Sequence, residues 1–307
     1  MNDEKAREAR SELERVYPQL ADWDERTLDE HWALVGELVA SHGDDIRRAA
    51  IAWCSSAAPT AQGVGLDVLG VLGVDDEVAR DGLVSAASHL LASPSVDVRW
   101  SLAVALGRNS TDGRTTPGLL RLAADPDDDV RFQAVAGLSV SADDEPAVGG
   151  PVVDALMRAM SDPSAEVRDW ATFGLGVQRE VDTEEIRAAL RTRLQDDEAD
   201  TAGEAAVALA KRGDIAVAPV ILERLGRPDV GNLWLEAAAE LGDPVLLPRL
   251  RELERQGWQI DDPRPELLGD AIAACSRPRP LLSSGQGQPR GQSTEPDGTS
   301  PSTTDLR

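Results

Sequence analysis

The residues able to do chemistry are few, and their spacing decides what they are for. His31, His42 and His89 are scattered, and none sits in an HxxxH, HExxH or repeated His-Glu arrangement that could hold a metal. Cys54 and Cys275 form no CxxC pair and are read as small buried hydrophobes rather than nucleophiles. Carboxylates crowd in "DPDDDV" (125–130) and "QDDEAD" (195–200), but neither run has the alternating ligands, central glycine and closing glutamate of a calcium loop. The glycines of "GVGLDVLG" follow no strand, so a phosphate loop is not supported. No catalytic residue, metal site or cofactor is therefore expected.

These positions need a frame, and composition narrows it. The chain has 307 residues and is 41% apolar, with only ten aromatic residues, seven of them Trp. Abundant Ala, Leu and Val suit close-packed helices, because Ala lets neighbouring backbones approach. A formal charge of −24 repels phosphate backbones and anionic membranes, arguing against nucleic acid and membrane partners. The first residues lack an apolar targeting core and no window approaches the length of a membrane span, so a cytoplasmic protein is expected.

The strongest signal is repetition. "ASPSVDVRWSLAVALGR" (92–108), "DPDDDVRFQAVAGLSV" (125–140) and "SDPSAEVRDWATFGLGV" (161–177) are variants of one line. A template placed on Val64, Val98, Val130, Val167, Thr201 and Leu233 finds Leu eight residues later in every copy: Leu72, Leu106, Leu138, Leu175, Leu209 and Leu241. The first positions are spaced by 34, 32, 37, 34 and 32 residues, a period that marks a helical solenoid. Offsets 0, 4, 7 and 8 fall within about 100° of one another on a helix and form its core stripe. Asp97, Asp129, Glu166, Asp200 and Asn232 precede the stripe, where they can cap the helix or complement its dipole. Second apolar-periodic segments lie between these helices: 78–91, 116–124, 147–160, 183–194, 215–225 and 245–253. Each unit is thus a hairpin that buries its apolar face only by stacking on its neighbours.

The lines "DPDDDVRFQAVAGL", "DPSAEVRDWATFGLG" and "GDPVLLPRL" resemble the HEAT repeat, in particular the short bacterial form named after phycobilisome lyases. The resemblance spans about residues 60 to 255. It implies an all-α superhelix of about six hairpins, with the Val-Arg helix lining the concave face. It also implies a ladder of Asp and Arg between hairpins, matched here by Asp97 with Arg99, Asp129 with Arg131, and Glu166 with Arg168, and lapsing at Gly65, Ala202 and Trp234. The His-Glu pairs that hold di-iron in deoxyhypusine hydroxylases are missing from the sequence, and the acidity fits poorly with HEAT-like enzymes that excise alkylated bases.

The organisation expected is a charged segment at 1–23, a helical cap at 24–57, the solenoid at 58–257, a capping helix at 258–275 and a disordered tail, rich in Pro, Gly, Ser, Thr and Gln, at 276–307. The function expected is that of a non-catalytic scaffold or adaptor. An accessory enzyme resembling phycobilin lyases, or another protein-modifying repeat protein, is the alternative. Outward positions of the Val-Arg helices would carry Trp100, Phe132, Trp170 and Phe173 along three neighbouring repeats, followed by Asp169, Glu204 and Glu236. Such a strip suits a protein segment with apolar anchors and basic residues.

Overall fold

The computed structural model describes residues 25–141, 149–228, 230–258 and 266–277. The charged segment at 1–23 and nearly all of the expected tail lie outside the described residues, as does the stretch expected to begin the last helix. All regular elements among the described residues are helical. They are α1 (Glu25–Cys54), α2 (Pro59–Leu72), α3 (Glu77–Leu90), α4 (Val96–Arg108), α5 (Thr116–Leu122), α6 (Asp128–Ser139), α7 (Pro151–Ala159), α8 (Ala165–Gly176), α9 (Glu184–Arg193), α10 (Ala199–Lys211), α11 (Ala218–Arg224), α12 (Asn232–Leu241), α13 (Leu247–Arg255) and α14 (Leu267–Cys275). Short 3₁₀ turns at Ile215–Val217 and Pro244–Leu246 lead into α11 and α13. The chain is an α-solenoid.

The even-numbered helices form one row, each packed on the next from α2 to α14, while α3, α5, α7, α9, α11 and α13 form the second row. The second-row helices fall within the segments expected from periodicity, except that α3 begins one residue earlier and α13 ends two residues later. The N-terminal cap comprises two helical segments that run together as α1 and are separated by a kink at Gly43, whose φ of 47° and ψ of −120° no helix interior adopts. At the other end α14 packs on α12 as a further member of the first row, with the Cys275 thiol against the Ala238 carbonyl.

Small residues set the spacing within the first row. Gly107 lies against Gly137, Gly174 against Ser139, and Gly176 against Ala208, so offset 9 of one repeat meets offset 7 of the next. A Cβ on Gly174 would stand 2.2 Å from Ser139 Oγ, which leaves no room for any side chain. The same pairing appears in α2 as Gly70 against Ala105. The first repeat therefore starts at Ala61, with Leu69 fully buried at offset 8, and not at Val64 with the half-buried Leu72. At the other copies Leu106, Leu138, Leu175, Leu209 and Leu241 are all buried.

Helix starts follow the turn chemistry. Ser95 and Asp127 cap α4 and α6 by accepting from Val98 N and Val130 N. Ser164 occupies the same place in α8, where its hydroxyl donates to Glu166 instead. Asp97, Asp129, Glu166 and Asp200 are thus first-turn residues that complement the dipole, not caps.

Candidate functional site

Two sets of polar contacts cross the first row, one at each end of its helices. At the N-terminal end, Arg99 grips the Asp125 carboxylate from Nε and Nη2 at 2.7 and 3.0 Å. Arg131 does the same to Asp162 at 2.8 and 2.9 Å, and Arg168 to Asp196 at 2.9 Å from both nitrogens. Each Arg also donates to a carbonyl of its own preceding turn: Ser93, Asp125 and Asp162. The carboxylates are fixed in turn by backbone N–H groups of Asp127, Ser164 and Glu198. Hydrogen bonding to its Arg holds the Asp196 carboxyl below the usual range; at Asp162 burial pushes the carboxyl up, but the bonds from Arg131 and the Ser164 N–H, with the charges of Arg131 and Arg168, together bring it below the usual range. The ladder thus runs through the turn aspartates Asp125, Asp162 and Asp196. Asp97, Asp129 and Glu166, the acids expected to pair with these arginines, are exposed on the first helical turn and take no part. The reason is geometric: an Asp five residues before the first core position sits in the turn, directly beside the preceding helix start.

At the C-terminal ends a second set reaches backward to the preceding first-row helix. Asn109 Nδ2 donates to the Gly70 carbonyl at 3.0 Å, Arg179 Nη2 to that of Leu138 at 2.9 Å, and Arg212 to those of Leu175 and Gly176 at 2.9 and 2.7 Å. These satisfy carbonyls that a helix end leaves without partners. The repeat pattern gave no hint of them, because the residue type changes from copy to copy.

Between these ends lies the face of the first row turned away from the second. Helical geometry assigns Trp100, Phe132 and Phe173 to it, with Trp170 at its edge; all four are half-buried, and Trp100, Phe132 and Trp170 also pack against the core. Phe132 meets Trp170 edge to face at 6.4 Å, and Trp170 meets Phe173 in the same way at 5.7 Å. Trp100 holds on α4 the register position that Phe132 holds on α6. The Trp170 carbonyl also accepts from Ser139 Oγ at 2.8 Å, so this residue ties α8 to α6 as well as lining the face.

The acidic positions continue the face onto α8, α10 and α12. Asp169 accepts from Thr201 Oγ1 at 3.0 Å, while burial pushes its carboxyl up. Burial raises Glu204 further, to about 7, and the charges of Asp169 and Glu236 add to the shift. A carboxyl whose folded pKa exceeds its unfolded one contributes stability that is complete below pH about 4.5 and is lost as pH rises through about 7. Glu204→Gln is accordingly expected to stabilise the protein by about 1 kcal/mol at pH 8, after allowance for solvent screening, and to change nothing at pH 4. Urea unfolding at the two pH values checks this; equal effects at both would refute the assignment.

Both thiols are buried. Burial pushes Cys54 up to about 12 and Cys275 up to about 11. His31 is buried against Asp67, with Nε2 and Oδ2 3.0 Å apart, and Arg108 stacks on Trp32 beside it. His89 Nε2 lies 3.1 Å from the Cys54 carbonyl, tying α3 to the end of α1. Among the described residues no group of three or more His, Cys, Asp or Glu side chains is placed to hold a metal ion. No helix among them is long and apolar enough to cross a membrane.

Comparison with known proteins agrees with this geometry. The family model for HEAT repeats matches residues 153–242. Residues 153–242 are thus HEAT repeats. No curated protein sequence matches it. Among solved structures, YibA of E. coli superposes with a TM-score of 0.68 at 24% identity, covering 86% of this chain and 92% of its own. An engineered protein superposes at 0.52 with 16% identity over 85% of this chain and 77% of its own. The CpcE and CpcF complex of phycocyanin lyase from Nostoc gives 0.44 at 16% identity, covering 74% of this chain and 94% of the other, too low a likeness to carry an argument. The first two likenesses show the solenoid fold, and the ladder residues Asp162, Arg168 and Asp196 all lie within the span matched by the HEAT-repeat model.

Proposed function

We propose that the protein is a non-catalytic scaffold that holds a segment of a protein partner along the outward face of its first row. The observation that carries this reading is the change of character along one face, from the aromatic run Trp100, Phe132, Trp170 and Phe173 to the carboxylates of Asp169, Glu204 and Glu236. Half-buried aromatic rings on a rigid helical face are the usual anchors of a protein interface. Carboxylates beside them add orientation and rate. The partner segment has apolar anchors followed by Lys or Arg, read in the direction α4 to α12. The buried thiols and the acidity fit a role in binding better than one in group transfer.

The reading is tested by selecting peptides from a random library displayed against the whole chain. Selected sequences are expected to carry apolar residues followed by basic ones. Trp100→Ala should weaken the best of them by about 1 to 3 kcal/mol, as loss of an interface anchor does. Glu204→Lys with Glu236→Lys should chiefly slow association and flatten its salt dependence in stopped flow. Variants that fold normally and bind like the parent would move the site off this face.

A further inference from the structure

The Arg–Asp ladder stops between α10 and α12, and what replaces it is a reversed rung. Asp125, Asp162 and Asp196 each stand three residues past the last residue of a second-row helix, their N–H bonded to the carbonyl of that residue: Leu122, Ala159 and Arg193. After α11 that position belongs to Arg227, whose N–H bonds to the Arg224 carbonyl at 3.0 Å in the same way. On the facing helix, the position of Arg99, Arg131 and Arg168 belongs to Ala202, which is buried. A cation thus stands where three earlier interfaces have a carboxylate, and no cation stands opposite.

At this interface lies a cavity of about 320 Å³, walled by Asp200 on α10, Arg224 at the end of α11, Arg227 after it, and Val230 to Trp234 at the start of α12. Arg224 lies over the Trp234 ring at 5.1 Å. Among the described residues Arg227 pairs with Glu223 on α11, at 3.2 Å, and its side chain is 48% exposed. Asp200 is in the first-turn position of Asp129 and Glu166, outside the rung in every earlier copy, and it makes no ion pair here among the described residues. The positive end of α12 faces the same space.

We infer that this cavity takes a carboxylate from a protein partner, an acidic side chain that completes the rung in trans. Arg227 supplies the bidentate fork that Arg99, Arg131 and Arg168 supply within the chain, and Arg224 on Trp234 forms the floor. The site is separate from the aromatic and acidic face and takes the opposite charge, so each can fail without the other.

Trp234 forms part of the wall, which makes it the reporter. Fluorine NMR of the full chain labelled with 5-fluorotryptophan, with Trp234→Phe to assign the signal, is titrated with a blocked peptide carrying two glutamates, its glutamine counterpart and inorganic phosphate. The glutamate peptide is expected to shift the Trp234 signal saturably and the glutamine peptide to leave it unmoved. Arg227→Gln, a half-exposed position, should weaken binding at least about tenfold without lowering the melting temperature. Ala202→Arg with Arg227→Asp should rebuild the rung and abolish the response. No saturable shift up to roughly 10 mM peptide, a range that covers weak binding, would overturn the proposal. So would an unchanged response in Arg227→Gln, or phosphate saturating below the peptide, which would make this a small-anion site.

Discussion

Leu175→Ala is expected to cost about 2 to 5 kcal/mol of stability, toward the upper end of the range for a large buried side chain. The cost depends on how far the surroundings can close over the lost atoms, and here they are held apart. Leu175 is fully buried, and its two neighbours in sequence are the glycines at which α8 touches the adjacent helices. Gly174 already stands against Ser139 on α6, and Gly176 against the Ala208 methyl on α10. Neither helix can move inward to fill the cavity. Because each repeat is stabilised by its neighbours, damage at α8 also weakens the coupling between the two halves of the array. Urea and thermal unfolding check this, and an unchanged midpoint would contradict the register that places Leu175 at offset 8.

That register was legible because one Leu recurs in a constant relation to a small residue. It was legible except in the first copy, where "DVLGVLG" offers two Leu-Gly pairs, Leu69-Gly70 and Leu72-Gly73. A template counts both equally. Only the approach of Gly70 to Ala105 distinguishes them, and that is a property of the neighbouring helix. The ladder shows the same limit in another form. Arginines at offset 1 could be found by inspection, but each turn carries several acids, and the partner is chosen by where the turn places it against the preceding helix. Asp125 and Asp129 differ by one helical turn, and only the first lies beside Arg99.

The candidate face was legible as a set of positions and not as a network. Helical geometry puts Phe132, Trp170 and Phe173 on one side of adjacent helices, and the rings do meet edge to face. What spacing could not convey is the electrostatic consequence of crowding Asp169, Glu204 and Glu236, since that depends first on burial. The reversed rung at Arg227 was hidden for a related reason. The lapse of the ladder at Ala202 is visible in the sequence, whereas the equivalence of Arg227 to the turn aspartates emerges only from the backbone bonding.

Arg212→Met is the other substitution expected to do severe damage, and the reason is the backbone it serves. Its side chain is 6% exposed and donates to five carbonyls: Leu175, Gly176, Arg179, Val181 and Ala208. The nearest carboxylate oxygen, on Asp182, stands 3.9 Å from Nε, so the guanidinium is held mainly by peptide dipoles, and burial lowers its pKa. Leu175 and Gly176 are at the end of α8, where carbonyls have no helical partner, and Arg179 and Val181 belong to the connection that follows. Methionine fills similar volume but donates nothing, leaving buried acceptors without hydrogen bonds at about 1 to 3 kcal/mol each, less whatever water recovers. A net loss of about 3 to 5 kcal/mol is expected, with Arg212→Lys recovering part of it through one or two of the same acceptors. Because those acceptors lie between α8 and α9, amide exchange over residues 177–183 should accelerate more than in the core of α10. A methionine variant with parental stability and exchange would mean that the carbonyls are satisfied without the guanidinium, and the backward-reaching set at the helix ends would then be decoration on a fold held by its apolar stripe alone.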